Sequence, residues 1–336
     1  MDTPAADPRQ SALAEWLRAT LRSDAISLAR ASEDASFRRY FRVTHEGRTL
    51  IAMDAPPPME NCRPFVHVAA LLRAAGVHAP AVHAQDIDRG FLLLEDLGNA
   101  TYLSRLDAGS ADALYLDAID ALVRFQRASR EGELPPYDRA LLRRELDLFP
   151  DWYVARHLGI ELDDRQRAML EGVFEKVLAN NLAQPRVYVH RDYHSRNLMV
   201  CEPNPGVLDF QDAVHGPVTY DLVSLLRDAY IAWEEERQID WTVRYWERAR
   251  AAGIAVDPDF GTFWRDFEWM GVQRQIKVLG IFARLAHRDG KRGYIDDMPL
   301  VMKYLRAACG RYRDLAPMIL LLDGFEGRVP AVGYTF

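Results

Sequence analysis

Between two short apolar runs the chain reads Val189-His190-Arg191-Asp192-Tyr193-His194-Ser195-Arg196-Asn197-Leu198-Met199. Val207-Leu208-Asp209-Phe210 and then Gly216-Pro217-Val218-Thr219-Tyr220-Asp221-Leu222 follow. Phosphoryl transfer needs a carboxylate beside the attacking hydroxyl and hard oxygen ligands for a magnesium ion that bridges the phosphates. Asp192 suits the first task, and Asn197 and Asp209 suit the second. An H-x-D triplet or an Asp-Asn spacing alone is commonplace. Here an asparagine stands five residues after Asp192, an apolar-Asp-Phe run comes seventeen residues after it, and Asp221 lies twelve residues beyond that. In this order the residues form a kinase-type signature.

Other elements must position these residues. Leu13, Trp16, Leu17 and Leu21 recur at helical spacing within Pro8 to Leu21. Strand-length runs follow at Ala25–Arg30, Phe37–Thr44 and Thr49–Met53. The second alternates Phe37, Arg39, Phe41, Val43 against Arg38, Tyr40, Arg42, the period of a strand. Ala55-Pro56-Pro57-Pro58 ends the third run, Cys62–Ala75 reads as a helix stopped by Gly76, and Ala81–Gln85 and Phe91–Glu95 form a further strand pair. Beyond Asn99 helical patterns dominate: Ala111–Ser129, Asp138–His157, Asp163–Leu182, Thr219–Glu236, Trp241–Ala252, Phe260–Arg288 and Met298–Tyr312. Three short strand-like runs, Val187–Val189, Leu198–Cys201 and Gly206–Phe210, interrupt them. The expected fold is α+β, with a small mixed β-sheet domain over residues 1–97 and a mainly helical domain over residues 98–336.

A chain of 336 residues, 49% hydrophobic and 27% charged, is long enough for two such domains, each with its own core. Its 42 basic and 49 acidic side chains leave a net charge of −7, which disfavours nucleic acid as a partner, since phosphate binding draws on basic excess. No apolar run reaches the roughly 18–20 residues of a membrane span. The opening Met1-Asp2-Thr3-Pro4 lacks the basic-then-apolar order of a secretory signal, so a cytoplasmic location is expected. Cys62, Cys201 and Cys309 are odd in number and far apart, which suggests neither disulfides nor a zinc site. Only four of the 42 basic residues are lysines, Lys176, Lys277, Lys291 and Lys303.

With these motifs in place, the chain resembles the aminoglycoside phosphotransferase-like branch of the protein-kinase-like superfamily over nearly its whole length. Within that branch, Ser36-Phe37-Arg38-Arg39-Tyr40-Phe41-Arg42-Val43, Met53-Asp54-Ala55-Pro56-Pro57, Cys62-Arg63-Pro64-Phe65, Leu93-Leu94-Glu95-Asp96-Leu97-Gly98 and Gly280-Ile281-Phe282-Ala283-Arg284-Leu285 are similar to stretches of the bacterial anomeric kinases of N-acetylmuramic acid and N-acetylglucosamine, which act in cell-wall recycling. The resemblance implies a bilobal protein-kinase-like fold, use of ATP and Mg²⁺, and a small-molecule amino sugar as acceptor, with a monomer as the expected state. It makes Asp192 the catalytic aspartate, Asn197 and Asp209 the metal ligands, and Glu95, Asp96 and Leu97 the hinge whose backbone meets adenine. Asp221 becomes an N-cap or brace of the catalytic loop and His190 a residue that holds that loop; His194 and Arg196 take no assigned role.

The sequence departs from the pattern in two places. The turn Ala31–Ser36, expected beside the phosphates, contains no glycine, and Met53 stands where the third strand should present a lysine. With no lysine before Lys176, the phosphate charge must be met otherwise; Arg38, Arg39 and Arg42, with Ser36 at the turn, are the candidates. No acid lies within Cys62–Ala75, and Glu60 is only at its edge. On the long helix, Arg274, Lys277, Arg284 and Arg288 recur at intervals that place them on one face. Such a face suits either a substrate carboxylate or a solvated surface, and Trp269 is a candidate for stacking on a sugar ring, although helix packing also accounts for such tryptophans. The basic face disfavours cationic acceptors. Competing readings are a kinase of an aminoglycoside, choline, homoserine or fructosamine, and a nucleotide-binding pseudokinase or regulator.

Overall fold

The structure is a computed structural model that describes residues 7–33 and 37–328. Ser36 lies outside the described residues. In chain order the elements are α1 (Pro8–Leu21), β1 (Ser27–Glu33), β2 (Arg39–His45), β3 (Arg48–Asp54), α2 (Arg63–Ala74), β4 (Val82–Asp86), β5 (Phe91–Glu95), α3 (Tyr102–Arg105), α4 (Ala111–Arg127) and α5 (Arg139–Leu148). A π-helical stretch (Phe149–Leu158) precedes α6 (Asp164–Ala183), β6 (Arg186–Val189), β7 (Leu198–Met199), β8 (Gly206–Val207) and β9 (Val214–Pro217). Last come α7 (Tyr220–Leu226), α8 (Glu235–Ala251), α9 (Phe260–Arg288), α10 (Met298–Arg311) and α11 (Ala316–Phe325). Among the described residues, no helix is long and apolar enough to cross a membrane.

These elements form two compact units. The first comprises the described residues up to Arg105 together with Asn197–Asp212; the second comprises Leu106–Arg196 and the residues from Ala213 onward. A single cut after Leu97 therefore does not separate them, because the β7–β8 hairpin packs with the N-terminal residues.

In the first unit β1 to β5 make one sheet in the order β1-β2-β3-β5-β4. All four pairings are antiparallel, so the sheet is not mixed. The Asp7 carboxylate accepts from the Arg9 and Gln10 amides, and Pro8 takes the first helical position, where no N–H is needed; together they start α1. The helix buries Leu13, Trp16 and Leu17 against Phe41, Val43, Ala52, Phe91 and Leu93. This assigns the Phe41/Val43 set of β2 to the α1 side of the sheet, and period two sends Arg38, Tyr40 and Arg42 to the other side. The β4–β5 turn closes on Gly90, whose φ of +76° suits glycine. A Cβ at Gly90 would lie 1.9 Å from the Ala55 carbonyl oxygen.

The second unit is built around α9, which runs as predicted from Phe260 to Arg288, its first turn capped by Asp259 accepting from the Thr262 amide at 2.8 Å. Glycine at 280 lets α9 approach the end of α5, since a Cβ there would meet the Leu148 backbone at 2.5 Å. Just beyond, with Pro150 unable to donate, the continuous helix expected over Asp138–His157 passes from α form to π form at Phe149.

The helix expected over Thr219–Glu236 is broken. It stops at Leu226 and resumes only at Glu235. Between them Arg227 and Asp228 are buried and polar: Arg227 bonds Glu268, and Asp228 accepts from the Ser195 amide and hydroxyl. Meeting those partners outweighs continuing the helix. Sequence reading passed over β9 and α11; β9 is short, and α11 is nearly uniform in hydropathy.

Candidate active site

In the first unit the candidate metal ligands stand at the open end of a hairpin. β7 and β8 pair Leu198 with Val207 and Met199 with Gly206, and the Leu208 amide donates to the Asn197 carbonyl at 2.9 Å. This register sets Asn197 and Asp209 side by side, with Asn197 Nδ2 donating to Asp209 Oδ2 at 3.2 Å. Gln211 Nε2 donates to Asp209 Oδ1 at 2.9 Å. Asp209 has a left-handed φ of +61°, a conformation aspartate tolerates better than most residues. Among the described residues no group of three or more His, Cys, Asp or Glu can hold a metal. One carboxylate and one amide oxygen form a sparse set. That suits magnesium, which keeps waters and phosphate oxygens as its other ligands.

The second unit holds Asp192. His190 and Arg191 donate their backbone amides to the buried Asp221 carboxylate at 2.6 and 3.0 Å, and the Asp192 amide donates to His190 Nδ1 at 3.2 Å. Asp221 lies inside α7, with Thr219 at the N-cap position, so it braces the loop and does not cap the helix. Burial pushes the Asp221 carboxyl up to about 6, against the pull of His190 and of the two amides. Arg191 adopts φ +78°, a strained value for a long side chain. Its guanidinium meets Glu145, which is itself buried on α5. Below this loop Ser195 is tied to Asp228, and Arg196 lies 3.5 Å over the Tyr230 ring.

Asp192 itself moves the other way. Burial opposes its ionisation, yet Lys277, His194, Arg191 and Arg274, in decreasing order of effect, lower its pKa to about 2. Lys277 is 5% exposed; its ammonium donates to the Tyr220 hydroxyl at 2.9 Å and lies 3.5 Å from Glu145. Burial favours loss of its proton, but Glu145, Tyr220 and Asp192 together keep the group charged. Arg274 is 3% exposed and donates to Ser224 at 2.6 Å. The catalytic-loop aspartate is thus a fixed anion beside buried cations.

With this geometry established, the chain was compared with known proteins. The profile of the phosphotransferase enzyme family, APH, matches residues 27–257. The chain belongs to this family. Several relatives carry the name N-acetylmuramate/N-acetylglucosamine kinase. Those of Pseudomonas aeruginosa and Pseudomonas putida are 56% and 54% identical, each covering 87% of this chain and 86% of its own length. That of Neisseria meningitidis is 48% identical and covers 98% and 99%. Among solved structures, a choline kinase from Streptococcus pneumoniae aligns with a TM-score of 0.63 at 13% identity, over 90% of this chain and 100% of its own. A choline/ethanolamine kinase family protein from Mesorhizobium loti gives 0.61 at 14%, over 94% and 99%. The fold is therefore the kinase-like one, and the chain is a phosphotransferase.

The remaining candidates in this phosphotransferase are distributed unevenly. On β2, Arg39 bonds the buried Asp54 and Asp7, Arg42 bonds Asp96 at 2.6 Å, and Arg38 lies 3.0 Å from Glu60. In the hinge stretch the Glu95 carboxylate accepts from the Ala81 amide at 3.0 Å and meets His78 at 3.1 Å, and Leu97 is buried. These side chains are thus engaged in holding their own loop.

The four basic residues of α9 do not form one solvated face. Arg274 and Lys277 are buried beside Asp192, Arg284 is half-buried, and Arg288 is exposed and bonds Asp289 at 2.7 Å. Trp269 is buried against Tyr312, with Arg265 over its ring. It packs the helix and presents no open face for a sugar. Glu145, Asp228 and Tyr220 were not singled out from sequence, since nothing in local spacing marks a residue whose partners lie more than 30 positions away.

Proposed function

We propose that the protein is an ATP- and Mg²⁺-dependent kinase of N-acetylmuramic acid and N-acetylglucosamine, acting on the anomeric hydroxyl to give the sugar 1-phosphate. The observation that carries this reading is the complete Asp192, Asn197 and Asp209 set in a chain about half identical to relatives named for that activity. Asp192 orients the sugar hydroxyl as a permanent anion and accepts its proton late, as the phosphoryl bond forms. A carboxylate held near pKa 2 is a weak base, which suits an anomeric hydroxyl, more acidic than an ordinary alcohol, and an alignment role over early proton removal. Asn197 and Asp209 would hold the magnesium, which neutralises phosphate charge when bound. Asp221 and His190 keep the loop in shape, and the backbone of Glu95–Leu97 receives the adenine. ATP as donor and a hydroxyl sugar as acceptor place the work in the cytoplasm.

The test is purified protein with ATP, Mg²⁺ and a panel of amino sugars, the product read by ³¹P NMR. An acid-labile glycosyl phosphate from either N-acetyl sugar is expected, and Asp192→Asn should abolish it. Phosphate on a non-anomeric hydroxyl, or transfer only to choline or an aminoglycoside, would overturn the substrate assignment.

A further inference from the structure

Three arginines at positions 38, 39 and 42 lead into and along β2, and their carboxylate partners set them different tasks. Arg39 pairs in register with Asp54 and shares the α1 side of the sheet with Phe41 and Val43. Its guanidinium donates to Asp54 from Nε at 3.0 Å and also meets Asp7 at the start of α1. Arg42 is held by Asp96, at 2.6 and 3.0 Å, and by the Gly98 carbonyl at 3.2 Å. Both are structural clamps: one fixes α1 to the sheet, the other fixes the segment after β5.

Arg38 is placed differently. It stands one residue before β2, where the alternation of the strand, continued, sets it on the face shared by Tyr40 and Arg42, and Tyr40 is the register partner of Met53. Met53 is where the resemblance to kinases leads one to expect a lysine, and it is fully buried and apolar. Arg38 therefore enters from the neighbouring strand on the same side of the sheet as the missing ammonium. Its Nε lies 3.0 Å from Glu60 Oε2, and the other carboxylate oxygen of Glu60 accepts from the Phe37 amide at 3.2 Å. Glu60 thus fixes both the side chain and its backbone. The pair is largely enclosed, the side chains being 12% and 11% exposed. The charged and titratable groups that Arg38 feels are Tyr40, Glu60, Asp212 and Asp209; the last of these sits 3.2 Å from Asn197 in the candidate metal site.

From this placement we propose that Arg38, held by Glu60, is the residue that grips the α- and β-phosphates of the nucleotide, replacing the strand lysine that the chain lacks. The assignment rests on the kinase reading above. A guanidinium can meet a carboxylate at one edge and a phosphate at another, which an ammonium does only as a point charge. Phosphates that meet a metal at Asp209 arrive beside a cation already in the field of Asp209. The glutamate that orients this cation comes from just before α2, which accounts for the absence of any acid within α2 itself.

The test is equilibrium binding of adenosine, AMP, ADP and ATP, the last two with Mg²⁺, to wild type and to Arg38→Ala, Arg38→Lys and Glu60→Gln, with melting curves for each. Arg38→Ala should weaken ATP and ADP at least tenfold while adenosine binds as in wild type, and Arg38→Lys should recover part of the loss. Glu60→Gln should give a smaller loss with the same ligand pattern. Unchanged ATP affinity in Arg38→Ala, or a loss shared equally by adenosine, would overturn the proposal while leaving a wild-type enzyme that transfers phosphate. Unchanged ATP affinity in Glu60→Gln would overturn the holding role. A wild type that binds no ATP would remove the kinase reading and this assignment with it.

Discussion

The two units treat charge in opposite ways. Leading into and along β2 each arginine meets a carboxylate: Arg38 with Glu60, Arg39 with Asp54 and Asp7, Arg42 with Asp96. Around Asp192 positive charge is in excess, since Lys277, Arg191, Arg274 and His194 all bear on it while Glu145 is the acid bonded to two of them. In the first case acid–base pairs build a scaffold, and one of them, Arg38–Glu60, holds the arginine that also feels Asp209. In the second, buried cations hold a carboxylate in a single protonation state. The difference shows that a count of arginines says nothing about their use until the carboxylates facing them are known.

The comparison breaks most visibly at Asp192. Asp192→Ala should lower turnover by roughly 10² to 10⁴, the range of a positioned acid–base group, with nucleotide affinity nearly unchanged in a binding titration. Asp209→Ala, by contrast, should also weaken the metal–nucleotide complex.

Next in size is Lys277→Met, which removes the largest attraction on Asp192 and leaves Glu145 with Arg191 and the hydroxyl of Tyr137. Burying a carboxylate with less compensation raises its pKa. The acid limb of this variant should therefore begin at a higher pH than that of wild type, and a pH–rate profile indistinguishable from wild type would show that Lys277 does not set the state of Asp192.

Arg39→Ala sharpens the same comparison from the scaffold side. Asp54 is fully buried and would keep Arg9 alone. Losing one charge-assisted pair there should cost about 1–3 kcal/mol in denaturant unfolding, with ATP affinity within about twofold of wild type. A matching loss of ATP affinity would erase the distinction between Arg38 and Arg39.

The smallest effect concerns pH and the loop brace. Asp221 titrates near 6, above its ordinary 3.8, so its ionised form, which accepts from the His190 and Arg191 amides, declines below pH 6. Turnover should ease off below that point, and the limb should disappear in Asp221→Asn. Stability runs the other way. A raised folded-state pKa favours the fold at low pH, and that contribution is lost as pH rises through about 6. Asp192, lowered to about 2, favours the fold above pH 3.8 and loses this contribution as pH falls toward 2. The two aspartates should be separable in unfolding curves measured from pH 2 to 7.

Element types were legible wherever local pattern was strong. α1, β5 and α9 fall where periodicity and capping residues place them, and the order of Asp192, Asn197 and Asp209 identifies the chemistry because a catalytic loop and hairpin are local structures. Less legible were features set by distant partners. The helix expected across Thr219–Glu236 gives way at Arg227 because Glu268 and Ser195 lie far along the chain. The basic spacing on α9 is real, yet Arg274 and Lys277 point into the protein toward Ser224, Tyr220 and Glu145, where a helical wheel alone cannot distinguish solvent from a polar interior.

By itself the sequence determined that this chain carries a phosphoryl-transfer loop, that its N-terminal strands alternate, and that no lysine is available there to meet phosphate. Those are matters of residue type and short-range spacing. Tertiary structure decided which arginine is held by Glu60 and that the hairpin bearing Asn197 and Asp209 packs with the N-terminal unit. It also decided that Asp192 is held ionised in part by Lys277 and Arg274, cations from a helix some eighty residues downstream. Strand register, packing and burial fix these outcomes, and each depends on contacts between residues that the linear order keeps apart.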